Sequence, residues 1–142
     1  EIRDEINNLF WKKDDKTIEI KILEKNKCRS MKNMFYGCDS LISISEESKW
    51  NTNYITDMSF MFDGCKKLKE IPDISNWNTK NVKDMSYIFR ECISLEKIEN
   101  LDKLITNNVT NMSYMFYGCK SLSSLSDISE WKTNNEIGRA HV

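Results

Sequence analysis

The chain has 142 residues, of which 30% are charged, and its formal net charge is −1. This balance leaves no basic excess for nucleic acid and no polybasic run for a membrane surface, and no apolar run approaches the roughly 18 residues of a membrane span. We therefore expect one compact domain with no nucleic-acid partner and no membrane insertion by this segment.

The opening of the chain, residues 1–29, differs from the remainder of the sequence. Within it the stretch from Thr17 to Leu23, TIEIKIL, alternates apolar and polar residues, which predicts a half-buried strand. Ile6, Leu9 and Phe10 are similar to the start of the later repeat, but no cysteine occurs at the matching distance. Terminal repeats are usually atypical because they cap a stack. We interpret residues 1–29 as a degenerate repeat or an N-terminal cap.

From Ser30 onward the sequence repeats every 27 residues, and the clearest copy is NVTNMSYMFYGCKSLSSL, from Asn108 to Leu125. A fixed period in this range is typical of a solenoid, in which equivalent residues stack. We expect four rungs, at residues 30–54, 55–81, 82–108 and 109–135. The rows expected to form the structural ladder are Cys38, Cys65, Cys92 and Cys119; Met31, Met58, Met85 and Met112; Leu41, Leu68, Leu95 and Leu122; and Trp50, Trp77 and Trp131, with Leu104 in the remaining slot.

Each rung is predicted to hold one short helix and one short parallel strand. In the third rung Val82, Met85, Phe89 and Cys92 are spaced three, four and three residues apart, as on one face of a helix. The strand would lie in the segment from Leu95 to Ile98. A left-handed residue would end the helix, at Gly37, Gly64 and Gly118, with Glu91 in that slot of the third rung. The predicted fold class is an α/β repeat solenoid.

The segment from Met112 to Leu125, MSYMFYGCKSLSSL, resembles the repeat of about 26 residues of the bacterial-surface-protein family, related to BspA-like leucine-rich repeats. The resemblance covers most of the chain, residues 30–135. It implies a leucine-rich-repeat-like solenoid with a role in cell-surface adhesion or protein interaction, and it offers no catalytic residues to transfer. Ile88, Glu91 and Leu104 depart from the repeat, which affects local packing rather than the fold.

The residues of catalytic and metal sites are missing from the pattern. No EF-hand loop, P-loop or Ser/His/Asp set occurs, and no C-x-x-C pair favours zinc. The only histidine lies in the segment from Glu136 to Val142, EIGRAHV, which leaves the repeat grid at once. We interpret residues 136–142 as a non-native tail that comes from sequencing-adapter read-through. We expect no enzyme, no cofactor and no metal.

The cysteine row has two readings. Stacked rungs would bring successive cysteines to about 4.8 Å, which is within reach of a disulfide. Cysteine also behaves as a small buried hydrophobe, and this row lies on the face that carries methionine and phenylalanine. We favour a stack of reduced, buried thiols. Cys28 lies off the grid, as a cap residue or an exposed thiol.

Two sets of non-core residues are candidates for an interaction surface, because solenoids bind through the variable positions of successive rungs. One set is charged and belongs to the predicted strands: Lys67, Lys69, Glu70, Glu96 and Lys97. The other is an aromatic row, Phe60, Tyr87 and Tyr114, since tyrosine is favoured at interfaces. Ordinary solvated surface is the alternative reading for both sets.

We expect a non-enzymatic protein-interaction or adhesion module, a fragment of a longer cell-surface repeat protein, with a protein or a surface glycan as partner. The alternative is an intracellular scaffold or adaptor, which a row of reduced cysteines would tolerate. A redox-responsive ladder and a passive spacer also remain open. Asn108 and Asn111 each fit the N-glycosylation pattern, but asparagine also suits these positions as a capping residue. The resemblance favours the cell surface over the cytoplasm.

Overall fold

The computed structural model describes residues 9–14, 17–22, 28–44, 50–71 and 73–131. Two strands lie near the start, β1 (Leu9–Asp14) and β2 (Thr17–Ile22), and they pair antiparallel along their whole length. The strand predicted from Thr17 is confirmed, whereas its partner β1 was not expected. The interpretation of residues 136–142 as a tail falls outside the described ranges, as does much of the opening.

From residue 28 the chain forms a solenoid of stacked turns, and we number its rungs 1 to 4 by the ranges given above. Parallel bridges join each rung to the next at one equivalent position, through Ser30↔Asp57, Asp57↔Asp84 and Asp84↔Asn111. A further parallel bridge joins Glu70 to Lys97. The expected repeat solenoid is therefore present.

The prediction of one helix per rung is wrong for the described residues. The stretch from Val82 to Cys92 is a run of turns, and the short 3-10 helix η1 (Leu101–Lys103) lies elsewhere in rung 3. Tyr87 and Glu91 have left-handed backbone, with φ of 58° and 55°, which interrupts a right-handed helix. A chain that turns about every four residues also brings side chains inward at three- and four-residue spacing. The spacing of Val82, Met85, Phe89 and Cys92 is therefore compatible with both a helix and a run of stacked turns.

Backbone hydrogen bonds explain why stacked turns replace the helix. In rung 3, alternate N–H groups donate to carbonyls of rung 4: Met85 to Asn111 at 2.9 Å, Tyr87 to Ser113 at 2.9 Å, Phe89 to Met115 at 3.0 Å and Glu91 to Tyr117 at 2.7 Å. Intervening N–H groups close tight turns within the rung, as Arg90 does to Tyr87 and Cys92 to Phe89. These N–H groups are satisfied without the bonds to residue i−4 that a helix needs.

The predicted parallel strand is also reduced. In the segment from Leu95 to Ile98, the N–H of Glu96 donates to the Lys69 carbonyl at 3.0 Å, and Lys97 forms the bridge to Glu70. No longer ladder forms there among the described residues. A single bridge per rung is enough because the turns supply four hydrogen bonds to the next rung.

The core runs along the stack as rows of equivalent side chains. Phe35, Phe62, Phe89 and Phe116 form a stacked row, with ring centroids 5.3, 5.7 and 5.8 Å apart. The ladder residues of the predicted rows that are buried are Met31, Met58, Met85, Met112, Cys65, Cys92, Cys119, Leu68, Leu95, Trp77, Leu104 and Trp131. Trp50 stacks on Trp77 at 5.5 Å. Where rung 3 has Leu104 in the tryptophan slot, the chain forms η1 just before it.

The ladder is less complete at its ends. Leu41, Trp50 and Leu122 are half-buried, and Cys38 is exposed. The expectation of a fully buried cysteine row is wrong for Cys38. Each of the other three cysteines is covered by the preceding rung, whereas Cys38 belongs to rung 1, and no equivalent turn precedes rung 1 among the described residues.

A row of polar side chains also lies inside the stack. Thr52, Thr79 and Thr106 are buried at one equivalent position. The Thr79 hydroxyl accepts the N–H of Ile105 at 2.8 Å and donates to the Ile105 carbonyl at 3.0 Å. The Thr52 hydroxyl accepts the N–H of Asn78 at 2.7 Å. Thr52 and Thr79 therefore hydrogen-bond to backbone groups of the next rung that form no strand pairing.

Candidate functional site

The aromatic row predicted from sequence forms a continuous stack on the solenoid surface, which we call the aromatic column: Phe60, Tyr87 and Tyr114. The rings of Phe60 and Tyr87 lie 4.6 Å apart at 4°, and those of Tyr87 and Tyr114 lie 5.1 Å apart at 16°. Tyr117 meets Tyr114 edge to face at 5.8 Å. Phe60 and Tyr87 are half-buried, and Tyr114 is 43% exposed. Large rings in this arrangement present their edges to solvent.

The backbone of the aromatic column is strained. Phe60, Tyr87 and Tyr114 all have φ of 58°, a left-handed conformation that costs an L residue about 1–2 kcal/mol. Strained residues of this kind tend to cluster at functional sites. Stacking of the rings offsets part of the cost, since an aromatic pair contributes about 0.5–1.5 kcal/mol beyond its buried area.

A side-chain turn positions each ring of the column. Three residues before Phe60, the Asp57 carboxylate accepts the N–H of Ser59 at 2.8 Å and its hydroxyl proton at 2.6 Å. Asp84 and Asn111 hold the equivalent positions, and each accepts the serine N–H two residues on, at 2.8 and 3.0 Å. Such turns direct the chain into the left-handed residue that comes next. Asn111, one of the two sequon asparagines, thus has a structural role here.

The other sequon asparagine is more open. Asn108 is exposed, and its amide nitrogen donates to the Lys80 carbonyl at 2.6 Å, so the side chain links rung 3 to rung 2 along the stack.

The aromatic column ends in an open depression. Rung 1 has Asn33 in the slot that holds a ring in rungs 2 to 4, with the same left-handed backbone at φ 57°. Beside it lies a space of about 420 Å³ lined by Lys32, Asn33, Tyr36 and Phe60. Tyr36 is 60% exposed, and the Lys32 ammonium lies 4.0 Å from the Asp57 carboxylate. The depression therefore combines the phenyl ring of Phe60 with the ammonium group of Lys32, the side-chain amide of Asn33 and the phenol of Tyr36.

Charged groups flank the middle of the column. The Arg90 guanidinium lies 5.6 Å from the centre of the Tyr87 ring, within reach of a cation–π contact, and 3.4 Å from the Asp63 carboxylate. Burial raises the pKa of Asp63; Arg90 opposes this shift and Glu91 adds to it. Desolvation outweighs the ion pair, so Asp63 is destabilising when it is charged.

The charged candidates, Lys67, Lys69, Glu70, Glu96 and Lys97, are all exposed. The bridge between Glu70 and Lys97 places opposite charges one above the other. Lys97 also pairs with Glu99 at 2.6 Å, and this hydrogen bond, with the charges of Glu99 and Glu70, raises the Lys97 pKa. Opposite charges that lie close together are a weak basis for recognition. The aromatic column and the charged set are not joined by any contact within the described ranges.

No disulfide joins any of the five cysteines, which all lie in the described part of the chain. Cys65, Cys92 and Cys119 each donate to the carbonyl of a phenylalanine in the preceding rung: Phe35, Phe62 and Phe89, at 3.1, 3.1 and 3.0 Å. Burial raises the pKa of Cys65 to about 12 and of Cys119 to about 11, and it raises that of Cys92 as well. Thiols with raised pKa values are poor nucleophiles and poor metal ligands, so the role of this row is structural.

The described part of the chain carries no cluster of metal ligands and no membrane-spanning helix. No group of three or more histidine, cysteine, aspartate or glutamate side chains is placed to hold an ion there. No helix within those residues has the length and apolarity to cross a membrane.

Sequence reasoning identified the aromatic column but missed the depression at its end. Lys32 and Asn33 differ from their counterparts in the other rungs, and the missing ring at Asn33 was a readable signal. It also missed the left-handed strain. The Asp-x-Ser and Asn-x-Ser triplets before each ring were the available clue, because they favour side-chain turns over helix.

Comparison with known proteins identifies a family and a similar structure. The model of the family described as "Mycoplasma protein of unknown function, DUF285" matches residues 4–103 and 29–140. A crystal structure of a T. pallidum leucine-rich repeat protein is similar at 23% identity and a TM-score of 0.41, over 68% of this chain and 50% of that one. The chain thus spans about half the length of that protein. No curated protein matches significantly.

Proposed function

Because this chain belongs to the DUF285 family, whose function is unknown, we propose its role from its surface: a non-enzymatic protein-interaction module that binds through the aromatic column and the depression beside it. The repeated, stacked architecture supports this proposal, since solenoids present successive rungs as one extended binding surface. The proposal includes display at a cell surface as an adhesion module within a longer repeat protein, for which the resemblance to bacterial-surface-protein repeats is the support.

The observation that carries the proposal is the strained, partly exposed aromatic column. Rungs 2, 3 and 4 each hold a large ring at the same left-handed position, where a small or flexible residue would be less strained. Tyrosine at the centre of a surface is typical of protein interfaces, because it contributes much contact area at low entropy cost. The charged set is less suitable, because it mixes opposite charges and Lys97 already pairs with Glu99.

The test uses two variants that copy residues the repeat itself contains. Tyr87→Asn and Tyr114→Asn, combined, place in rungs 3 and 4 the residue that rung 1 holds as Asn33 in the same left-handed conformation. The matched control is Glu96→Ser with Lys97→Ser, which copies Ser123 and Ser124 of rung 4 into the charged set.

The chain would be immobilised and exposed to cell-surface proteins solubilised in detergent. A second sample of the same proteins would first be treated with protease, and binding of both samples would be measured by interferometry. We expect a protease-sensitive signal that falls at least tenfold in the double asparagine variant and is unchanged in the control. A signal that is lost only in the charged-set control, or that survives protease, would contradict a protein partner at the aromatic column.

A further inference from the structure

The aromatic column runs through rungs 2 to 4 but does not include rung 1, the first rung that the structure describes. Asn33 has the same φ as the three aromatic residues, and its N–H donates to the Ser59 carbonyl at 3.1 Å, as the N–H of Phe60 does to Ser86 at 3.0 Å. The backbone of rung 1 therefore offers the same slot as rungs 2 to 4. Only the ring is missing from it.

Within the described residues, the missing ring leaves one face of Phe60 without a stacked aromatic neighbour. Tyr87 covers the other face, at 4.6 Å and nearly parallel. The open side lies toward rung 1, where the depression of about 420 Å³ is lined by Phe60, Asn33, Lys32 and Tyr36. A planar ring placed there at the spacing of the column, 4.6 to 5.1 Å, would extend the stack by one member.

The polar groups around this slot favour a ring that is accompanied by a negative charge. The Lys32 side chain is 47% exposed, and its nearest carboxylate, Asp57, is at 4.0 Å, the outer limit of an ion pair. Asn33 is exposed and supplies amide groups that can donate or accept, and Tyr36 supplies an exposed hydroxyl.

We propose that the depression beside Phe60 is a binding slot for an aromatic side chain of a partner protein that is flanked by acidic residues. The partner's ring takes the place that Asn33 leaves empty in the aromatic column, and the acidic neighbour meets the Lys32 ammonium. This assignment rests on the proposed function and names the ligand chemistry of the same site. A sugar ring is the alternative occupant that the experiment separates.

The experiment measures binding of short peptides to the full chain by NMR, from the backbone and side-chain amide signals of Asn33 and its neighbours. The probes are acetyl-Asp-Phe-Asp-amide, its leucine analogue acetyl-Asp-Leu-Asp-amide, its basic analogue acetyl-Lys-Phe-Lys-amide, and methyl β-glucoside. We expect saturable shifts with the acidic phenylalanine peptide, and at least tenfold weaker binding of the leucine analogue, the basic analogue and the sugar.

The decisive variant is Asn33→Tyr, which fills the slot with the residue that rungs 3 and 4 already hold there. It is expected to weaken binding of the acidic phenylalanine peptide at least tenfold while the chain keeps its amide spectrum elsewhere. Glu96→Ser with Lys97→Ser, which lies outside the lining of the depression, is expected to bind the acidic phenylalanine peptide like the wild type. Lys32→Gln is expected to lose most of the preference for the acidic over the basic peptide at low salt.

Four outcomes would each overturn the assignment. They are equal binding of the phenylalanine and leucine peptides, unchanged binding in Asn33→Tyr, shifts that only the glucoside produces, and no shifts at the highest peptide concentration. The assignment and the proposed function fail separately. If the slot takes no peptide while Tyr87→Asn with Tyr114→Asn still abolishes partner binding, the interaction surface stands and only the ligand chemistry is wrong. If neither behaves as expected, the proposed function is wrong as well.

Discussion

Glu91 is the residue at which rung 3 departs most from its neighbours. It has φ of 55° in the slot where Gly37, Gly64 and Gly118 have φ of 69°, 78° and 79°. Its side chain extends over Gly118, where an added Cβ would come within 2.7 Å of the Glu91 Cδ atom. The rung therefore accepts a strained glutamate because the next rung has no side chain at that place.

We expect Glu91→Gly to stabilise the protein by roughly 0.5–1 kcal/mol, because relief of the left-handed strain exceeds the entropy that glycine adds to the unfolded chain. Urea unfolding measures the change. Glu91→Ala is the control, since it removes the carboxylate but keeps the strain. A larger gain in Glu91→Ala than in Glu91→Gly would show that charge, rather than backbone, is the cause.

Gly118→Ala tests the same contact from the other side. It is expected to destabilise the protein by about 1–2 kcal/mol or more, from its own left-handed backbone and from the clash with Glu91. In the Glu91→Gly background only the backbone part remains, so the cost should be smaller. Equal costs in both backgrounds would mean that the Glu91 side chain moves away freely.

The cysteines differ in their accessibility along one row. At pH 8 the native protein should be alkylated by iodoacetamide at Cys38 first, because this thiol is exposed although its pKa is raised by partial burial and by Asp39. Cys65, Cys92 and Cys119 should stay unmodified until urea unfolds the chain, since burial both shields them and raises their pKa values. Mass spectrometry of the digested protein gives the order. Equal labelling of all four would refute the buried row.

At the scale of the element, each rung is a set of tight turns whose polar groups are satisfied by the next rung. The buried Thr79 hydroxyl serves both the N–H and the carbonyl of Ile105. Thr79→Val keeps the shape and removes this partner, and a buried unsatisfied group costs about 1–3 kcal/mol. We expect a loss of that size in urea unfolding, and a much smaller one for Thr79→Ser, which keeps the hydroxyl. Equal losses would assign the effect to the methyl group.

The rows of the solenoid could be read from the sequence, but the shape of each rung could not. Equivalent residues at a 27-residue period must stack in any solenoid, so the methionine, leucine and phenylalanine rows could be deduced from the register alone. The stretch from Val82 to Cys92 was misjudged because helices and stacked turns both bring residues inward at three- and four-residue spacing. Left-handed φ at Tyr87, an aromatic residue, has no propensity signal. The depression at Asn33 exists because rung 1 lacks the ring that rungs 2 to 4 have. It could therefore be recognised only after the structure showed that these rings stack.

At the scale of the whole molecule, stability should decrease toward rung 4, the last rung that the structure describes. The rung 3 amides of Met85, Tyr87, Phe89 and Glu91 donate to rung 4. Their rung 4 counterparts, Met112, Tyr114, Phe116 and Gly118, have no acceptor among the residues that the structure describes. We expect hydrogen exchange to be slow for the first group and fast for the second, as resolved by NMR. Slow exchange in rung 4 would show that a further segment covers it.

The bonds between rungs also determine how the solenoid would respond to force. Because the interfaces between rungs lie in series, each crossed by several backbone hydrogen bonds, tension applied at the two ends of the stack acts on every interface and separates the weakest one first. A rung that peels away would release its 27 residues as slack, on the order of 90 Å of extended chain. The molecule would therefore lengthen in discrete steps and limit the tension that reaches whatever is attached to it.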